Sequence, residues 1–301
     1  MSETRAGFIA VVGRPNVGKS TLINALVGSR VSITTPKPQT TRHRILGIRT
    51  DETVQMIFVD TPGIHTGGKS AMNRMLNRTA GDSVRDADCV LWLVQSNRWT
   101  DEDAAVLERL RSVRCPVGLV VTKVDLVKDK ATLMPFLAET GARRAFDFVV
   151  PLSAAKGNNL DALMEELVRV LPESPFLFEP EQVTDRGEHF RMAELIRERL
   201  FMSLDQELPY AITVEIESDE PMDDGRRNVS AVIWVARDSH KGIVIGKRGA
   251  RLKQVGSEAR KAIQADLGQG LHLQLWCRVK RGWADDERAL ASLGFDLPDS
   301  P

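Results

Sequence analysis

Residues 13–20 read Gly13-Arg14-Pro15-Asn16-Val17-Gly18-Lys19-Ser20, a spacing that cradles a polyphosphate. Gly13 and Gly18 let the backbone curl until its N–H groups face phosphate oxygens. A helix beginning at that point adds a favourable dipole. Lys19 is placed to reach the β- and γ-phosphates, and the Ser20 hydroxyl to sit on Mg²⁺. The motif means little unless a strand precedes it and a helix follows. Residues 8–12 are an apolar run of strand length, and residues 21–26 continue at helical spacing.

Four further groups narrow the nucleotide to a guanine one. Residues 54–59 form an apolar strand that ends in Asp60-Thr61-Pro62-Gly63. The Asp60 carboxylate can hold Mg²⁺ through water, and the Gly63 N–H can bond the γ-phosphate. The polar, Thr- and Pro-rich stretch 34–41 reads as a mobile loop, in which Thr41 can complete the metal shell while a γ-phosphate is present. Residues 117–121 lead into Thr122-Lys123-Val124-Asp125. Two acceptor oxygens on Asp125 suit guanine N1–H and the 2-amino group, which adenine lacks. Ser153-Ala154 follows a fifth apolar run, and a backbone N–H near Ala154 can donate to guanine O6.

A different chemistry lies in the second half. Gly246-Lys247-Arg248-Gly249 is a Gly-x-x-Gly loop, with Ile243 and Ile245 before it and Arg251 and Lys253 after it. Such a loop lets a nucleic-acid backbone come close, clamping about four nucleotides of single-stranded RNA. The two isoleucines are expected to line an apolar groove under the bases. Between Arg237 and Lys261 eight basic residues face only Asp238 and Glu258. A local patch suffices for phosphate contact, because fields fade within a Debye length of about 8 Å. An RRM is disfavoured, since no aromatic-rich strand is present to stack bases.

The elements that must hold these groups follow from hydrophobic periodicity. Strands near 8–12, 54–59, 89–94, 117–121 and 147–151 alternate with helices near 19–28, 101–112, 131–140 and 159–170. Residues 44–50 are expected as an antiparallel strand beside 54–59. This alternation implies an α/β domain with a mostly parallel sheet, helices on both faces and ligands at the strands' carboxyl ends. A Pro-rich linker at 173–187 separates domain 1–172 from domain 188–301, with Phe176 and Phe178 expected to pack. The second domain runs helix (188–207), strand (211–217), strand (228–235), two helices around the Gly-x-x-Gly loop, and strand (271–279). Trp276 and Trp283 are expected to pack on a terminal helix at 284–293.

The residues 13–24, 39–44, 60–63 and 153–157 resemble the TRAFAC-class small G proteins. Residues 244–249 and 282–290 resemble the branch of ribosome-assembly GTPases that carry a C-terminal type II KH domain. The resemblance spans about residues 6–295. It implies a P-loop GTPase domain followed by an α+β KH domain, with GTP and GDP as nucleotides and Mg²⁺ as cofactor. It implies a nucleotide site of residues 13–21, 60–64, 122–125, Ser153 and Ala154, thus including Thr21, Thr61, Pro62, Ile64 and Val124. Lys19, Thr41, Gly63 and Asn16 take catalytic roles, and Ser20, Thr41 and Asp60 the metal. The implied partner is the 3′ end of the small-subunit rRNA on the 30S subunit, bound by a monomer. The function expected is a GTP-hydrolysing switch. Two alternatives stand beside it: an RNA chaperone with GTP as a structural ligand, and a G protein whose second domain docks a protein or a membrane.

Three positions bear on that resemblance. Thr122 stands where the family usually has Asn, and its hydroxyl can bond the phosphate loop instead. Ile64 occupies the place of the Gln that orients water in Ras-like enzymes, so turnover is expected to be slow. Arg42 and Arg44 are candidate intrinsic fingers, and Asn16 resembles the residue that helps related G proteins hold K⁺.

Composition fits two soluble domains. The 301 residues carry 41 basic and 41 acidic side chains, so net charge alone would have hidden the basic patch. No apolar run approaches the roughly 20 residues that span a bilayer. With no secretory layout at the N-terminus, a cytoplasmic location is expected, with weak peripheral membrane contact open. Cys89, Cys115 and Cys277 are widely spaced and read as core thiols, without disulfide or zinc spacing.

Overall fold

Strand residues that point alternately to opposite faces need an apolar layer on each side. The first half of the chain supplies both. In β1 (Arg5–Val12), Ile9 and Val11 join one buried cluster while Ala10 and Val12 join another. In β4 (Cys89–Gln95), Cys89, Leu91 and Leu93 face the first cluster, and Val90, Trp92 and Val94 the second. The computed structural model describes residues 4–63, 71–204, 211–293 and 295.

The remaining strands of this sheet are β2 (Ile45–Thr50), β3 (Val54–Asp60), β5 (Val117–Thr122) and β6 (Phe148–Pro151). Their order is β2-β3-β1-β4-β5-β6, with only β2 antiparallel to its neighbour. The helices are α1 (Lys19–Val27), α2 (Ala71–Arg85), α3 (Asp101–Leu110), α4 (Leu133–Gly141) and α5 (Leu160–Val170). Helix α2 was not foreseen from the sequence. The chain leaves β1 towards β3 and leaves β4 towards β5. The crevice between β1 and β4 is therefore the topological switch point, where α/β sheets place their ligands. Gly118 of β5 is required by packing, since a Cβ there would lie 2.0 Å from the Phe148 ring.

The segment expected as a linker lies along this sheet. Fully buried Gln55 donates to the Phe178 carbonyl (2.8 Å) and accepts from the N–H groups of Leu177 and Phe178. Phe178 meets Phe8 edge-on, with centroids 6.5 Å apart. Further along, Ile48 N–H donates to Val183 O, and Leu46 N–H to the Asp185 carboxylate.

The chain divides into two compact units near Asp185 and Arg186, and residues 33–40 and 71–72 group with the second. That unit contains α6 (Glu188–Ser203), β7 (Ile212–Pro221), β8 (Arg227–Val235), α7 (Asp238–Ile245), α8 (Ala250–Leu267), β9 (Leu271–Val279) and α9 (Glu287–Ser292). Its sheet runs β7-β8-β9, antiparallel then parallel. Met192, Ile196, Leu200, Val255, Ala259 and Ile263 of α6 and α8 pack with Val229, Ala231 and Ile233.

Two sequence expectations change here. Residues 34–40, expected to be mobile, are tied to α6. Thr34 N–H donates to Glu198 (3.2 Å), Arg197 donates to Thr40 O (2.6 Å), and Lys37 Nζ donates to the last-turn carbonyls of Phe201 and Leu204. A cation on orphan C-terminal carbonyls is favourable. Trp283 is fully buried against Phe295 (6.0 Å), as expected of a core aromatic. Trp276 is 54% exposed, because its position in β9 alternates with the core-facing Leu275 and Cys277.

Candidate nucleotide site and RNA groove

The phosphate loop sits at the carboxyl end of β1. A Cβ on Gly13 would come within 2.8 Å of Leu93 O, so only glycine allows this approach to β4. Gly18 is left-handed (φ 112) and opens α1. Lys19 is buried, and its Nζ donates to the carbonyls of Gly13 (3.1 Å) and Arg14 (3.2 Å). Burial lowers the Lys19 ammonium to about 8, with Asp60 acting in the opposite direction. A polyphosphate in the loop would add negative charge beside this ammonium and favour its charged form.

Three oxygens from distant parts of the chain meet beside Lys19. Ser20 Oγ donates to Asp60 Oδ2 (2.7 Å) and lies 3.0 Å from Thr41 Oγ1, which donates to the same Asp60 oxygen at 3.3 Å. Asp60 is fully buried, and its Oδ1 has no hydrogen-bond partner among the described residues. Burial pushes its carboxyl upward, opposed by the Ser20 hydroxyl and the Lys19 ammonium. Hard oxygen donors around an unsatisfied carboxylate fit Mg²⁺. Gly63 backs directly on the loop, since a Cβ there would lie 3.1 Å from Pro15. Thr61 Oγ1 bonds Val11 O (2.9 Å) and fixes that turn. Ile64 lies outside the described residues. Arg42 is buried and Arg44 half-buried.

A cleft of about 240 Å³ adjoins the loop, lined by Gly18, Thr21, Lys123, Asp125, Ser153 and Ala154 among others. Thr122 Oγ1 donates to Val17 O (2.8 Å), so the residue in the unusual position ties the base side of the cleft to the phosphate loop. Lys123 Nζ donates to Asn16 O (2.6 Å) and makes a second tie. Leu126 is 65% exposed at the rim and was missed from the sequence. It and the Lys123 stem provide apolar walls for a flat base.

In the second unit, Gly246 and Gly249 are both at positive φ (72 and 77), with Arg248 also at positive φ between them. A Cβ on Gly246 would lie 2.7 Å from that of Arg251, whose guanidinium donates to Ile243 O. Lys247 and Arg248 are exposed. Beside the loop an open groove of about 520 Å³ runs between α8 and β9. Of the expected residues, Gly249 and Lys253 line it. Ile243 and Ile245 do not: Ile243 is 46% exposed on α7, and Ile245 packs against the core. The apolar wall of this groove is Leu252, Leu273 and Leu275, with Arg260 and His272 as polar groups. Their signal was the alternation of β9, which fixes which residues face α8.

A family model described as "50S ribosome-binding GTPase" matches residues 8–123, and a "KH domain" model matches 207–284. GTPase Era of Coxiella burnetii is 46% identical over 299 residues, covering 98% of this chain and 100% of that protein. The chain belongs to the Era GTPase family. Era of Yersinia enterocolitica is 47% identical over 295 residues, covering 98% of this chain and 97% of that one. An Aquifex aeolicus Era variant bound to GDP·AlF4⁻ superposes with a TM-score of 0.94 at 34% identity, over 98% and 100% of the two chains. An Era complex with MgGDPNP and nucleotides 1506–1542 of 16S ribosomal RNA gives the same TM-score, identity and coverage. The fold is that of Era, a P-loop GTPase domain followed by a KH domain. GTP hydrolysis is the activity of Era proteins, and no helix among the described residues is long and apolar enough to cross a membrane.

Proposed function

We propose that this chain is a GTP-hydrolysing switch that binds single-stranded RNA, the 3′ end of the small-subunit rRNA, in assembly of the 30S subunit in the cytoplasm. The observation that carries the reading is the convergence of Ser20, Thr41 and Asp60 oxygens beside Lys19. Thr41 directly follows residues 34–40, which are tied to α6. Ser20, Thr41 and Asp60 would hold Mg²⁺, which when bound would neutralise phosphate charge. Lys19 and the loop N–H groups stabilise charge that develops as water attacks in line. The Gly63 N–H holds the γ-phosphate, and Asp125 selects guanine. Lys247, Arg248, Arg251 and Lys253 meet the RNA backbone, while bases lie against Leu252 and Leu275.

The test is Lys19→Ala in the full chain. Phosphate release should fall to background, while affinity for a short rRNA 3′-end oligonucleotide is retained. Parent-rate hydrolysis would remove the phosphate-loop assignment. Normal RNA binding and ribosome maturation without hydrolysis would instead favour a chaperone with GTP as a structural ligand.

A further inference from the structure

Apart from the nucleotide cleft, the first unit holds a further concavity. It is a cavity of about 490 Å³ between α2 and α3. Its wall is aliphatic: Val12 from β1, Ala80 and Val84 from α2, Val106 and Leu110 from α3, and Val113 after it. No aromatic residue lines it, so it offers no stacking plane to a base or a ring.

The rim has the opposite character. Arg85, Arg109 and Arg114 line the same cavity, and all three are exposed. Among the described residues Arg85 pairs with Asp82, at 3.9 Å. Arg109 and Arg114 form no ion pair among the described residues. Guanidinium groups are forks that match a carboxylate with two parallel hydrogen bonds. Gly81, inside α2, also lines the space, and a Cβ there would meet nothing within 4 Å. Glycine inside a helix costs about 1 kcal/mol relative to alanine. Local packing does not require it here, and its lack of a side chain keeps the cavity wide.

We propose that this cavity binds a medium-chain fatty carboxylate, its chain against Val84, Val106 and Leu110 and its head held by Arg109 and Arg114. The volume is in the range of small-ligand pockets. The aliphatic wall selects a flexible chain, and charge complementarity selects the anionic head. Val12 is followed directly by Gly13, so the ligand's far end lies beneath the phosphate loop.

Cys115 lines the cavity and is half-buried, whereas Cys89 and Cys277 are buried. It therefore reports on occupancy in the intact chain. The full-length protein is titrated with decanoate below its micelle concentration, and maleimide labelling is read at each cysteine by peptide mass spectrometry. Saturable protection of Cys115 is expected below about 1 mM. Hexanoate, four methylenes shorter, should bind at least about 50-fold more weakly. Decanol, which lacks the charge, and the exposed-site variant Arg109→Ala/Arg114→Ala should each weaken binding about 10-fold or more. Gly81→Trp should abolish decanoate binding measured by calorimetry. Absence of saturable protection overturns the proposal. So does equal binding of decanol and decanoate, undiminished binding by the double variant, tighter binding of decyl phosphate than of decanoate, or labelling changes at Cys89 that signal unfolding.

Discussion

Arg14 and Asp103, 89 positions apart in the chain, form a buried ion pair with Nε 3.2 Å from Oδ2. Arg14 also donates to Gln95 Oε1 (3.1 Å), and its carbonyl accepts from Lys19 Nζ. The same Asp103 oxygen accepts from Thr100 N–H and Oγ1, closing the capping box of α3. One carboxylate thus holds the phosphate loop to the first turn of a helix. Asp103→Asn should leave the Arg14 charge buried without a counter-ion, a loss of about 3 kcal/mol or more. A fall in the urea midpoint, together with weaker fluorescent-GDP binding, is the expected result. Unchanged nucleotide affinity in a folded variant would show that the pair serves only stability.

Asp125→Asn should move preference from guanine towards xanthine nucleotides, because two acceptors become one donor and one acceptor. Each hydrogen bond to a charged group is worth about 1.5–3 kcal/mol, so GDP affinity should drop by roughly 10-fold or more. Competition binding with GDP and XDP measures both changes.

Asn16 is exposed, has a left-handed backbone (φ 59), and accepts from Lys123 through its carbonyl. It stands in the phosphate loop at the position expected to help hold a monovalent ion. Hydrolysis should run faster in K⁺ than in Na⁺ at equal ionic strength, and Asn16→Ala should erase the difference. Equal rates in both salts with the parent chain would make Asn16 an ordinary loop residue.

Lys247→Asp/Arg248→Asp should weaken binding of a single-stranded rRNA 3′-end oligonucleotide. The slope of log affinity against log salt should flatten by about 0.7 for each phosphate that is no longer neutralised. GDP affinity should be unaltered, since both side chains are exposed in the second unit. An unchanged slope would place the RNA site away from the loop.

Cys89 is held up to about 12 by burial, and Cys277 to about 11. Neither forms thiolate near neutral pH, so neither should react with maleimide in the folded chain. Cys115, also pushed up by burial but half-exposed, should label first. Peptide mapping after brief labelling at pH 7 and at pH 9 checks the order.

What could be read from the sequence was whatever its local order encodes. The phosphate loop, the strand tips at Asp60 and Asp125, and the Gly-x-x-Gly loop are contiguous, and their backbone geometry follows from glycine placement and flanking periodicity. Helix α2 carries a local signal too, since Met72, Met75, Leu76 and Ala80 recur at helical spacing and are buried, although Gly81 weakens its propensity. Tertiary structure alone decided which distant groups meet. The register of β3 against β1 brings Asp60 to Ser20, and the burial of Arg14 against Asp103 joins the phosphate loop to the first turn of α3. The side of β9 that faces α8 puts Leu273 and Leu275 in the groove beside the Gly-x-x-Gly loop and leaves Trp276 in solvent. A periodic pattern states that one face is buried. What covers that face depends on which strands pair and how the helices cross them, and those choices are made by packing across the whole domain.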